Sequence, residues 1–242
     1  FNFFDKSCSF TDDTVMTLAV AKTLLKFDAV TDIKEFKKEL VAVMHEVGIK
    51  YPNCGYGGHF GVWIRENYTE PYNSYGNGSA MRVSPVAWYA NSLDECEALA
   101  ASAAEVTHSH PEGIKGAVAV AGAIYLAMTK HSMVEIQDYI NSFYKMDFTL
   151  DEIRDTYVFH VTCQESVPQA LEAFFESVSF EDAIRNAISI GGDSDTIAAI
   201  TGSIAEAYYG IEDEMRTTAF SYLDSYLLEI AESFYVKFIR SK

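Results

Sequence analysis

Two clusters of oxygen donors stand out in this 242-residue chain: Thr11-Asp12-Asp13-Thr14 and Gly191-Gly192-Asp193-Ser194-Asp195-Thr196. Each directly precedes an apolar run, Val15, Met16, Leu18 and Ala19 after the first and Ile197, Ala198, Ala199 and Ile200 after the second, so each occupies a predicted helix start. Asp and Thr are ordinary N-caps, acids in a first turn complement the helix dipole, and glycines end a preceding helix. Taken alone, either cluster reads as capping. Yet one cap needs one acceptor, and each cluster offers two carboxylates and a threonine oxygen. Adjacent acids repel unless a cation or solvent relieves them. If the two helix starts face one another, four carboxylates and two threonine oxygens converge, a hard-oxygen set that suits Mg2+ or Mn2+ better than zinc. The stretch is not an EF-hand, because it lacks that loop's ladder of ligands and closing Glu.

The glycine-dense stretches are Gly55-Tyr56-Gly57-Gly58 and Tyr75-Gly76-Asn77-Gly78-Ser79. Bare backbone amides near a helix start cradle phosphate without Lys or Arg; read alone, both stretches are also ordinary turns. His108 and His110 flank Ser109 just before Pro111. At a predicted helix C-terminus, His108 suits the dipole as well as it suits a ligand, and no third nitrogen or sulfur stands near the pair to complete a zinc site. Arg82 and Lys115 are the basic residues nearest these segments, available to a phosphate or to surface acids.

The elements that must position these residues read as helical. A composition of 49% apolar and 22% charged residues describes one packed domain and excludes a disordered or fibrous chain. Capping-box patterns mark helix starts at Asp32–Glu35, Ser92–Glu95, Ser132–Glu135, Thr149–Glu152 and Ser166–Gln169, and Pro85, Pro111 and Pro168 fall in predicted first turns. Leu223, Leu227, Ile230 and Phe234 lie on one face of a last helix. Pro111–Lys130, apolar nearly all round and thinned by Gly113, Gly116 and Gly122, is the expected central helix. Tyr157–Thr162 is strand-like but has no partner strand, and is read as a buried loop. The expectation is an all-α fold of about ten helices in a single domain over residues 1–242.

Charge and cysteine usage exclude several classes. Eighteen basic against 35 acidic residues give a net charge of −17, the wrong sign for nucleic acid. The longest apolar stretch, near Gly116–Met128, is too short for a bilayer, which needs about 20 apolar residues. Cys8, Cys54, Cys96 and Cys163 form neither a disulfide framework nor a zinc motif, and a reducing, cytoplasmic location is expected.

In order, Ser9-Phe10-Thr11-Asp12-Asp13-Thr14-Val15-Met16, Gly55-Tyr56-Gly57, Gly76-Asn77-Gly78-Ser79-Ala80-Met81-Arg82, Thr107-His108-Ser109-His110-Pro111-Glu112 and Gly191-Gly192-Asp193-Ser194-Asp195-Thr196 resemble the ADP-ribosylglycohydrolase family, from Phe1 to about Gly210. That family includes the glycohydrolase that reactivates dinitrogenase reductase. The resemblance implies a compact all-α domain with a two-metal centre of Mg2+ or Mn2+. It also implies removal of ADP-ribose from a modified protein side chain or a small ADP-ribosyl conjugate. By position it implies metal ligands at Thr11, Asp12, Asp13, Asp193, Asp195 and Thr196. Pyrophosphate and ribose loops fall at Gly55, Tyr56 and Gly57 and at Gly76, Asn77, Gly78 and Ser79, with a ribose-side contact at His108. Glycosidic cleavage passes through an oxocarbenium-like state, and Asp13 and Asp193 are the carboxylates expected to meet the attacking water as well as metal. Family members begin with a glycine-rich helix carrying Gly-Asp and, a few residues on, a glutamate. No such segment precedes Phe1, so the expectation is a domain without that helix. The alternatives are an inactive ADP-ribose-binding or structural protein and a two-metal phosphoesterase acting through the same acids.

Overall fold

The most apolar stretch of the chain becomes the helix around which the others pack. A computed structural model describes residues 2–240, and Phe1 lies outside them. Among the described residues the elements are α1 (Asp12–Leu25), α2 (Ile33–Lys50), α3 (Gly58–Arg65), α4 (Gly78–Met81), α5 (Ser84–Tyr89), α6 (Leu93–Glu105), α7 (Pro111–Met128), α8 (Met133–Asn141), α9 (Leu150–Ile153), α10 (Cys163–Phe175), α11 (Phe180–Ser189), α12 (Ser194–Tyr209), α13 (Asp213–Phe220) and α14 (Ser225–Phe234), then a π-helical turn, Tyr235–Ile239. Fourteen helices exceed the expected ten because α4 and α9 are single turns of four residues and α5 has six. None is long and apolar enough to cross a membrane.

Helix α7 touches α4, α5, α6, α8, α10 and α12. Its glycines make that crowding possible. A Cβ at Gly116 would stand 2.5 Å from the Cys163 sulfur of α10, and one at Gly122 would run into the Tyr139 ring of α8. Interiors packed to crystal density leave no room for either. Leu227, Ile230 and Phe234 are buried along α14 as its period predicts, and Leu223 packs on the core just before the helix begins. None of the four cysteines forms a disulfide.

Helix starts follow the local chemistry where nothing distant intervenes. Asp32, Ser92, Ser132 and Thr149 are N-caps whose side chains accept from the following turn, with reciprocal boxes at Ser132–Glu135 and Thr149–Glu152. The expected start at Ser166 is wrong: α10 begins at Cys163 with Thr162 as its N-cap, which puts Pro168 in the helix interior rather than in a first turn. The cause is non-local. Asn77 N–H donates to Val161 O at 2.9 Å and Cys163 N–H to Tyr75 O at 3.0 Å, pinning the chain before the expected cap.

The same pairing corrects the reading of Tyr157–Thr162. It is a loop joined to Gly76 by one isolated antiparallel bridge at Thr162, but it is not buried: Val158, Phe159 and Val161 are exposed. Phe3 and Phe4 line a largely apolar cavity of about 420 Å3 with Leu18 and Ala21 of α1, Phe180 and Phe234.

The fit around α7 generates a test. Gly122→Ala gains about 1 kcal/mol in helix propensity but must displace the Tyr139 ring, whose hydroxyl is anchored on Glu97. Overpacking costs about 1–3 kcal/mol, so thermal denaturation should show a net loss of stability. A variant as stable as the wild type would mean that α8 yields freely.

Candidate functional site

Neither acidic cluster acts as a cap. Asp32, Ser92, His110, Ser132, Thr149, Ser179 and Asp224 all use their side chains to accept N–H groups of their own helices. Thr11 and Asp193 sit at the N-cap positions of α1 and α12 and make no such bond. The Thr11 hydroxyl instead donates to Asp13 Oδ2 at 3.0 Å, and Asp193 Oδ2 accepts from Asn77 Nδ2 at 2.7 Å. The two helix starts converge, so that Asp12 feels the charges of Asp195 and Asp193, and Asp13 those of Asp195 and Asp12.

Backbone conformation allows this convergence at two glycines. Gly55 has φ +112°, and a Cβ there would lie 3.1 Å from Asp12 Oδ1; the neighbouring Cys54 O accepts from Asp12 N–H at 2.9 Å, tying α1 to that turn. Gly192, at φ +69°, turns the chain out of α11 in a place where a side chain would strike Tyr157. Only glycine tolerates both demands.

Burial makes the crowding of acids costly. It is the main force pushing Asp13 up to about 7 and Asp12 up to about 6, with the neighbouring carboxylates adding to it. Asp193 is also raised, by burial first and by Asp195 after it, although the Asn77 amide opposes the shift. Asp13 Oδ1 is buried with no hydrogen-bond partner. A buried, partnerless carboxylate oxygen among like charges is what a divalent cation relieves, and the donors present, carboxylate and threonine oxygens, are those that Mg2+ and Mn2+ accept. No group of three or more His, Cys, Asp or Glu side chains among the described residues forms a ready cage for a metal ion. The residues fit a cation by the chemistry of their donors.

These acids floor a cavity of about 620 Å3, within the range of small-molecule sites. Asp12, Asp13, Asp193, Asp195 and Thr196 line it with Gly55, Gly57, Gly76, Asn77, Gly78 and His108. Three expected site residues do not. The Thr11 side chain stays on Asp13, Tyr56 faces a separate hollow beside Gly48, and the Ser79 hydroxyl donates to Gly113 O at 2.7 Å, locking α4 to α7. Asn77 is turned to protein rather than left free, bridging Ser166 Oγ at 3.0 Å and Asp193. Sequence reasoning missed Tyr72, Phe159 and Val161, which also line the cavity. The strand-like run held the signal for the last two.

The nearby basic groups separate sharply. Lys115 pairs with Glu112. Arg82 is 1% exposed, lines the cavity and has no acidic partner among the described residues. His108 is 4% exposed; burial and then the Arg82 charge hold its pKa well below the ordinary value, so it cannot serve the dipole as a cation. His110 instead caps α7, its Nδ1 accepting from Glu112 N–H at 3.1 Å.

Fold and cavity together define an all-α protein with paired aspartates at the mouths of two helices. The chain belongs to the ADP-ribosylglycohydrolase family, whose profile matches residues 3–239. It is 27% identical over 271 aligned positions to ADP-ribosylhydrolase ARH3 of Mus musculus, covering 84% of this chain and 70% of that protein. It is 23% identical over 208 positions to ADP-ribosyl-[dinitrogen reductase] glycohydrolase of Rhodospirillum rubrum, covering 84% and 70%. It is 27% identical over 230 positions to ADP-ribosylarginine hydrolase Tri1 of Pseudomonas putida, covering 83% and 59%. Among solved structures, an ADP-ribosylglycohydrolase-related protein complex superposes with a TM-score of 0.66 at 23% identity, over 93% of this chain and 81% of that one, and shares the fold.

The acids also set a pH dependence. Asp12 and Asp13 bind protons more tightly folded than unfolded, where the ordinary value is 3.8, so their contribution to stability is full below about pH 4 and lost as pH rises through 6 to 7. In chelator, the metal-free protein should therefore melt at lower temperature at pH 8 than at pH 5. Asp13→Asn should raise the pH 8 melting temperature by a few degrees and flatten the dependence. Calorimetry at both pH values checks this, and a lower melting temperature for the variant at pH 8 would refute it.

Proposed function

We propose that this protein hydrolyses the glycosidic bond between ADP-ribose and a protein side chain or small acceptor, using two divalent ions, Mg2+ or Mn2+, held by Thr11, Asp12, Asp13, Asp193, Asp195 and Thr196. Membership of the family supports a hydrolase acting on ADP-ribose conjugates. The observation that carries the finer reading is the meeting of two helix starts whose acids cap nothing, with Asp13 Oδ1 buried and partnerless beside a cavity that Gly55, Gly57, Gly76 and Gly78 also line. Four cysteines without a disulfide among them favour a reducing, cytoplasmic setting.

In this reading the backbone of Gly55 and Gly57 and of Gly76 and Gly78 faces the pyrophosphate and ribose, and a phosphate needs no lysine there. Bound divalent ions would lower the pKa of a ribose hydroxyl or water. One carboxylate of the pair Asp13 and Asp193 takes up the proton of the attacking water and is the source of the proton the acceptor carries away, and the Asn77 amide holds Asp193 in place for it. The bond from the anomeric carbon to the acceptor breaks, water oxygen bonds to that carbon, and the acceptor leaves with a proton.

An ADP-ribosylated protein incubated with the enzyme and Mg2+ or Mn2+ should release free ADP-ribose; AMP would mean pyrophosphate cleavage and would overturn the reading. Asp13→Asn and Asp193→Asn should each weaken cation binding by calorimetry and slow turnover by about 10²–10⁴-fold. Cation binding unchanged in both would leave the clusters without a metal role. A further variant probes the cradle: a Cβ at Gly78 would stand 3.2 Å from His108 Nε2, so Gly78→Val should narrow the preference for ADP-ribose over adenosine. Equal preference in wild type and variant would remove that loop from the pyrophosphate site.

A further inference from the structure

A buried arginine with no counter-charge, 1% exposed, calls for an explanation that helix packing does not supply. Arg82 Nη2 donates to Ala103 O at 3.2 Å and to Thr107 Oγ1 at 2.9 Å. Thr107 Oγ1 in turn lies 2.7 Å from His108 Nδ1. A guanidinium only donates, so the threonine oxygen is the acceptor in the first contact. Thr107 is fully buried, and among the described residues its hydroxyl proton has one partner within reach, His108 Nδ1. Buried hydroxyl protons are satisfied where a partner exists, so Thr107 donates to Nδ1 and that nitrogen carries no proton. Burial, and after it the charge of Arg82, keep the ring neutral. The remaining ring proton therefore sits on Nε2, which lies against the glycine loop: Cβ atoms at Gly76 and Gly78 would be 3.5 and 3.2 Å from it. No protein atom among the described residues accepts from Nε2, and His108 lines the cavity.

We infer that Arg82 and Thr107 are positioning residues whose one-way hydrogen-bond relay locks His108 as the neutral Nε2–H tautomer and aims that N–H at a ligand oxygen lying on the Gly76–Gly78 loop. The acceptor is a ribose hydroxyl or phosphate oxygen, an identification that rests on the proposed function. The relay has a design logic. A histidine free to change tautomer would present a lone pair to the ligand part of the time, and an oxygen acceptor would meet repulsion instead of a donor. Arg82 prevents this through Thr107, two hydrogen bonds from the ring.

The test is side-chain 15N NMR of the full chain, metal-free and ligand-free, with the His108 signals assigned by their loss in His108→Asn. Wild type should show His108 protonated at Nε2 only. Thr107→Val, nearly isosteric, should populate the Nδ1–H form and weaken ADP-ribose binding roughly tenfold, the value of one hydrogen bond. Thr107→Ser should keep both the tautomer and the affinity, and Arg82→Met should let the Nδ1–H form appear. An Nδ1–H or cationic ring in wild type overturns the relay whatever the variants do. An unchanged tautomer in Thr107→Val or in Arg82→Met removes that residue from it. Wild type that fails to bind ADP-ribose defeats the functional reading, while the ligand-free spectra still decide the relay.

Discussion

Bringing like charges together out of water is the demand that organises this molecule. Asp12, Asp13, Asp193 and Asp195 come from two helix starts far apart in the chain, those of α1 and α12, and the structure forces them close enough to repel. Each surrounding detail serves to hold them there. Gly55 leaves room for the Asp12 carboxylate, the Thr11 hydroxyl grips Asp13, the Asn77 amide grips Asp193, and Gly192 turns the chain sharply enough to deliver the second cluster. Folding energy must offset the repulsion, and it comes from a core in which α7 is thin enough for α8 and α10 to close on it.

The loop that completes the cavity depends on that same core. The Cys163 thiol, pushed up to about 12 by burial, stays protonated and donates to Gly76 O at 3.1 Å, while Ser79 is fastened to α7. The Gly76–Ser79 turn is thus pinned from behind, and its open face is left to the cavity. In a chain of net charge −17, Arg82 is buried with no acidic partner among the described residues, a strong contrast of environment over a short distance.

How much of this the sequence disclosed depends on how local each feature is. Caps at Asp32, Ser92, Ser132 and Thr149 were legible because donor and acceptor lie three residues apart. Ser166 matched the same pattern and misled, because backbone pairing with Tyr75 and Asn77, some 90 residues upstream, started α10 early. The exposed Phe159 and Val161 escaped for a related reason: a β-branched and aromatic run suggests burial, but here its role is to edge a cavity. The acid clusters were conspicuous by type, and two carboxylates for one cap was a real signal. Which side chains turn into the cavity was not legible; Ser79 and Tyr56 look like loop residues in sequence and point elsewhere in space. Arg82 was the least legible of all, since charge alone argues for the surface.

The separation of the two acid clusters also bears on the protein's birth. Asp13 and Asp193 lie 180 positions apart (193 − 13), so the first pair leaves the ribosome long before the second. At synthesis rates of about 5–20 residues per second, roughly 10–35 s pass in which Asp12 and Asp13 exist without their counterparts. During that interval they remain hydrated and unstrained. The cavity is therefore a late product of synthesis, and the charges of Asp193 and Asp195 reach the first pair only when α12 docks beside α1.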